Sequence, residues 1–128
     1  MARTSLTPVA FPNTTTNAFF PVLPVTAGSQ DLSFVAGDAV NNNVVTITSG
    51  KTFVDVFNSH ATTTFSLTIH SVADASQRTG DIGPYPIPAQ KVSRFGPFTT
   101  AGWNQSSPAG LWLDATSTWL GFVVTNTY

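Results

Sequence analysis

Tyr-Pro-Ile-Pro-Ala-Gln-Lys-Val-Ser-Arg-Phe-Gly-Pro-Phe (85–98), Gly-Trp-Asn-Gln (102–105), Gly-Leu-Trp-Leu-Asp (110–114) and Trp-Leu-Gly-Phe-Val-Val (119–124) follow one another late in the chain. Each is a short β-prone run bounded by Gly, Pro or Asn turn residues. Lys91–Phe95 reads as a strand entered from Pro88-Ala89-Gln90 and closed by Gly96-Pro97. Leu111–Asp114 and Trp119–Thr125 read as a final pair.

The same signals extend upstream. Phe65, Leu67 and Ile69 alternate with Ser66, Thr68 and His70, the pattern of a half-buried antiparallel strand. Val44–Thr48 and Thr52–Phe57 flank Ser49-Gly50-Lys51, which predicts a hairpin with glycine at the position needing positive φ. Asn58-Ser59-His60-Ala61 is a second turn, and Val72–Pro84, with Asp74, Arg78, Gly80, Asp81 and Gly83, reads as an exposed polar loop. Six or seven short strands at this spacing predict an all-β fold, an antiparallel β-sandwich or jelly-roll-like domain over residues 44–128.

Residues 1–43 differ. Pro8, Pro12, Pro21 and Pro24 recur, and between Thr4 and Gln30 there is no charged residue. Each proline removes a backbone donor and biases its predecessor toward extended geometry, so neither a helix nor a central strand is expected. Phe11, Phe19, Phe20, Val22, Leu23 and Val25 make the stretch too apolar for a flexible linker. It predicts an extended N-terminal arm with edge segments. Its aromatic anchors have two seats open to them, the chain's own sandwich or a neighbouring subunit or other protein.

Composition narrows the function classes. Charged residues make up 9% of the 128, against roughly a quarter in an average domain, and all six acidic residues are Asp. The surface must therefore be covered by Thr, Ser, Asn and Gln. A net charge of −1 gives no electrostatic reason to expect nucleic acid or an anionic membrane as partner. With no cysteine, neither a disulfide framework nor a thiolate metal site is available. No apolar run approaches the ~20 residues of a membrane span, and the opening residues lack the apolar core of a secretory signal.

Catalytic chemistry is thin. His60 and His70 belong to no metal-ligand motif, and no Gly-x-Ser-x-Gly elbow or glycine-rich phosphate loop is present. Asp55, inside an apolar run, reads as an edge-strand charge or as a partner for Arg94 or Lys91. No enzyme activity, cofactor or metal is expected. Trp103, Trp112, Trp119 and Tyr85 have two readings: core and subunit interface, or a weak sugar-stacking platform. The interface candidates are Phe11, Phe19, Phe20, Trp103 and Trp112.

Several pieces, in this order, resemble the small β-sandwich capsid decoration proteins of tailed bacteriophages. Thr52-Phe-Val-Asp-Val-Phe-Asn58 is similar to a family strand ending in Asn before a small-residue turn, and Phe65–Val72 to the Thr-rich strand after it. Pro88-Ala89-Gln90 is similar to a Pro-Ala-Gly turn, with Gln90 where the family has glycine. Arg94-Phe-Gly-Pro-Phe98 resembles the Gly-Pro-Phe element that follows, Trp103-Asn104-Gln105 an aromatic-Asn-polar step, and Gly110–Asp114 the next strand. The opening Met-Ala-Arg-Thr-Ser-Leu-Thr-Pro is familiar from such proteins too.

The resemblance implies a head-stabilising protein that binds the exterior of the assembled capsid, with the major capsid protein as partner and a homotrimer as the favoured oligomer. It implies synthesis in the host cytoplasm and residence on the outer surface of the virion. The alternatives are another virion component (a head–tail connector, tail or fibre protein) or a carbohydrate-binding β-sandwich module.

Overall fold

Side-chain alternation sorts these strands into two layers. In a computed structural model, which describes residues 2–10 and 32–127, ten strands form: β1 (Thr4–Leu6), β2 (Val9–Ala10), β3 (Val35–Ala36), β4 (Asn43–Val45), β5 (Thr52–Asn58), β6 (Phe65–His70), β7 (Ile82–Ile87), β8 (Val92–Phe98), β9 (Leu111–Ala115) and β10 (Leu120–Asn126). A four-residue helical turn, α1 (Thr100–Trp103), follows β8. One sheet runs β1-β4-β9-β6-β7 and the other β2-β10-β5-β8, with β3 also on β10. All neighbours are antiparallel except β1 on β4 and β2 on β10. The expected all-β sandwich is what forms.

Val45, Leu67, Ile69, Ile87, Leu111 and Leu113 of the first sheet meet Val54, Val56, Phe98, Leu120, Phe122 and Val124 of the second in one buried cluster. The alternation read at residues 65–70 holds, since Leu67 and Ile69 are fully buried while Ser66, Thr68 and His70 face outward. The N-terminal residues enter both layers: β1 lies on β4, and two residues beyond its end β2 lies on β10.

Four local expectations are corrected. The Thr48–Lys51 turn forms, with the Lys51 N–H donating to the Thr48 carbonyl at 2.9 Å and Gly50 at φ 77. It does not make a hairpin, because β4 and β5 belong to different sheets. Asn43–Val45 is buried throughout and Ile47 joins the core, so the chain crosses between layers before it turns. For the same reason β9 and β10 are not a pair. Their apolar residues face one another across the core rather than along a ladder.

Ile82–Pro84, read as the end of the Val72–Pro84 polar loop, instead opens an edge strand on β6, Ile82–Ile87, which contains Pro84 and Pro86. Proline is tolerated there because only one side of the strand pairs. Gly83, at φ 108, allows the approach: a Cβ at that position would sit 2.4 Å from the Leu67 carbonyl oxygen. Asp55 is likewise not an edge charge. It lies on β5, between β10 and β8.

Asn58, fully buried, ties the β5–β6 turn to the end of β7. Its amide donates to the carbonyls of Thr63 and Ile87, both at 2.8 Å, and its oxygen accepts from the His60 N–H at 3.0 Å. Asn58→Ala strands all three groups and is expected to cost about 3 kcal/mol, read as a lower urea midpoint at unchanged slope. Thr125 shows the opposite case, since its buried hydroxyl has no hydrogen-bond partner among the described residues. Thr125→Val keeps the shape, removes that unmet group, and should raise stability by up to about 1 kcal/mol in the same assay.

Candidate functional site

Outward-facing residues of β6 and β9 build a polar cluster on the first sheet. The ladder sets His70 opposite Trp112 and Thr68 opposite Asp114. His70 Nε2 is 2.7 Å from an Asp114 oxygen and Nδ1 is 3.1 Å from an Asp81 oxygen. Arg3 donates to the other Asp114 oxygen at 2.6 Å and to the Asn43 carbonyl at 3.2 Å, and its guanidinium lies 4.2 Å from the centre of the Trp112 ring. Asp81 also accepts from the N–H and hydroxyl of Ser71.

Two carboxyls here are held below the ordinary range. At Asp114, partial burial acts to raise the carboxyl, and donation from Arg3 and His70 outweighs it. At Asp81 the Ser71 N–H is the main cause, assisted by the Ser71 hydroxyl and by His70. Nearby, Asp38 is lowered to about 2, first by the Thr4 hydroxyl and then by the Asn41 N–H. Together these groups fasten the N-terminal strand to the first sheet.

The arrangement holds structure rather than activating a nucleophile. The Ser71 hydroxyl donates to Asp81 and accepts from the Gly80 N–H, so it makes no pair with His70. Among the described residues no three His, Cys, Asp or Glu side chains converge to hold a metal ion.

The sequence-predicted residues are dispersed. Trp112 is half-buried beneath Arg3, and its indole N–H donates to the Pro108 carbonyl at 2.9 Å. Trp103 is half-buried and meets Phe98 edge-on at 5.1 Å, at the rim of the core. It also borders an open cleft of about 200 Å³ beside Ser71, Asp74, Arg78 and Gly80. Phe11, Phe19 and Phe20 lie outside the described residues. Asp55 pairs with Arg94 at 2.9 Å, as its sequence context suggested, and Arg94 also lies 4.7 Å over the Phe53 ring.

The second sheet presents the open surface. Phe57 of β5 meets Phe34 at 5.5 Å between ring centres. Trp119, in the turn before β10, is 49% exposed and meets His60 edge-on at 5.0 Å, and Phe65 meets the same imidazole edge-on at 5.6 Å. Phe34, Phe57, Ser59, Thr118, Trp119 and Gly121 line a cleft of about 300 Å³ without a charged group among its walls. Gly121 lets the Phe34 wall approach β10, because a Cβ there would lie 3.1 Å from Phe34 Cβ. Sequence reasoning grouped Trp119 with the other tryptophans and missed its position. The signal was present: with Leu120, Phe122 and Val124 inward, positions 119 and 121 must face out.

The fold and its surfaces thus define an all-β sandwich with one stapled polar face and one open aromatic face. No family model, no curated protein and no solved structure matches the chain.

Arg3→Ala removes both the ion pair and the stacked cation and should cost about 1 kcal/mol at neutral pH. A lowered carboxyl adds stability above its unfolded range and loses it as pH falls through the folded value. The parent should therefore lose stability progressively between about pH 5 and pH 2. The Arg3→Ala chain should lose Asp114's share of that stability at a higher pH. Urea titrations across this range check both expectations.

Proposed function

We propose that this protein is a bacteriophage capsid decoration protein that binds the exterior of the assembled head and stabilises it. One observation carries the reading. The segments that resemble the family fall, in order, on β5, on β6, on the turn before β8, on β8 and on β9 of a single sandwich. The departure at Gln90 fits as well, since this residue takes φ 63, the left-handed conformation for which the family uses glycine.

A sandwich held by one core supplies a rigid body, and residues 1 to about 25, with Phe11, Phe19 and Phe20 as anchors, supply contacts to the major capsid protein or to neighbouring copies. A homotrimer at threefold or quasi-threefold positions multiplies weak contacts by attaching several arms at once. In this reading the protein is made in the host cytoplasm and resides on the outer virion surface.

Replacing Phe11, Phe19 and Phe20 by Ser leaves β1 and β2 in place. Mixed with undecorated heads, this variant should bind at least about tenfold more weakly than the parent; equal occupancy would remove the arm from the interface. Copy number tests the wider reading. Occupancy that follows the capsid lattice supports decoration, whereas a single ring per particle points to a connector or tail part.

A further inference from the structure

The β5–β6 turn, residues 59–64, is closed by side chains rather than by its own backbone. Thr62 and Thr63 present their N–H groups to one acceptor, His60 Nδ1, at 3.1 and 3.0 Å. No backbone carbonyl among the described residues takes either of them. The histidine itself is held in place. Its backbone N–H donates to the Asn58 side-chain oxygen at 3.0 Å, and the Gln90 amide donates to the carbonyls of Ser59 and His60 at 2.9 and 3.0 Å. The ring stands edge-on to both Phe65 and Trp119.

We propose that His60 is a proton-sensitive latch: its neutral ring closes the β5–β6 turn beside Trp119, and proton uptake at Nδ1 opens that turn.

The backbone assigns the tautomer. Two N–H groups directed at Nδ1 need a lone pair there, so the ring is neutral and carries its hydrogen on Nε2. A proton on Nδ1 sets three N–H groups against one another. The ring must then turn away, and both threonine N–H groups lose their acceptor. Thr62 and Thr63 are exposed, so water takes over those groups and opening strands nothing in the core. The change also reaches the aromatic cleft. The Ser59 N–H and hydroxyl both donate to the Trp119 carbonyl, at 3.1 and 3.2 Å, and Ser59 and Trp119 are walls of that cleft.

No carboxylate offsets the added charge. The elements packed against the ring are its own turn, the start of β6, the turn at Gln90 and the turn before β10. Lys91 is the charged residue they bring, and it has the same sign as a protonated histidine. His70 is the opposite case, since protonation strengthens its contacts to Asp81 and Asp114. The opened or unfolded chain binds the His60 proton and the closed turn excludes it. Stability from the latch is therefore present at neutral pH and falls as pH drops below about 6.5, the ordinary histidine value.

Asparagine supplies the matching control, because its side-chain oxygen reaches the N–H groups two and three residues on and takes up no proton. His60→Asn and His60→Ala both lose the ring packing, so at about pH 7.5 H60N should exceed H60A in urea midpoint. Between about pH 7.5 and about pH 5 the parent's folding equilibrium should fall about tenfold more than that of H60N. His70 and every aspartate are common to these chains and cancel in the comparison. In the parent, amide exchange at Ser59, Thr62 and Thr63, corrected for intrinsic rates, should quicken about tenfold over the same interval. Nitrogen NMR should show Nδ1 without a proton at the upper pH, and these parent measurements stand even where a variant fails to fold. A parent that tracks H60N throughout, H60A equal to H60N, or a proton on Nδ1 at the upper pH would each overturn the proposal. Exchange that quickens at the threonines and not at Ser59 would overturn the link to Trp119.

Discussion

The β5–β10 ladder is the constraint from which the rest of the structure follows. Seven residues of each strand, Thr52–Asn58 and Leu120–Asn126, pair in unbroken register. That ladder turns Val54, Val56, Leu120, Phe122 and Val124 toward the first sheet as a continuous apolar floor. It also fixes the outer face, where Phe53, Asp55 and Phe57 stand over Thr125, Val123 and Gly121. With β5 on one side, β10 has one edge left. Two short strands from opposite ends of the N-terminal region share that edge, β2 along one half and β3 along the other. Neither is long enough to be stable alone, and both depend on the strand they cover. Gly37 shows how close the fit is: a Cβ there would sit 2.6 Å from the Phe122 ring.

Much of this architecture was legible in the sequence, and what was not has identifiable physics behind it. Strand identity could be read wherever one face is buried, because alternation then has to appear, as at Phe65–His70. Strand partners could not. The Thr48–Lys51 turn carries good turn chemistry, yet a turn within a ladder and a turn between layers use the same residues. What separates them is that Asn43–Val45 is buried throughout, and burial is a property of the assembled fold. The polar and glycine-bearing run before it, Asp74 to Gly83, hid the start of β7, and only topology makes Ile82–Ile87 an edge strand that tolerates its prolines. Among the aromatic residues, Trp112 carries no local mark that Arg3, 109 positions away, would cover it. Trp119 could have been placed from the inward alternation of the residues that follow it.

Scarcity of charge leaves each described carboxylate with a defined structural task. Every aspartate among the described residues is engaged. Asp38 caps its turn and holds Thr4, Asp55 holds Arg94, Asp74 holds Arg78, and Asp81 and Asp114 flank His70. These groups sit where the hydrophobic core does not reach: at the N-terminal strand, on the outer face of the second sheet, and in the loop before β7. In an average domain dozens of charges serve solubility, and a few serve architecture. Here the described carboxylates are committed to architecture, and hydroxyls and amides cover much of the surface.

That commitment decides how such a protein can recognise anything. Long-range steering and charged hot spots need unpaired charge, and with a net charge of −1 and its described carboxylates engaged the chain has little to offer. Affinity must then come from apolar area, from ring packing, and from segments that lose little entropy on binding. The open aromatic face of the second sheet and the proline-punctuated segment meet those three needs. Weak contacts of this kind add up only when several are made together, so a chain built this way suits an assembly in which many copies lie side by side.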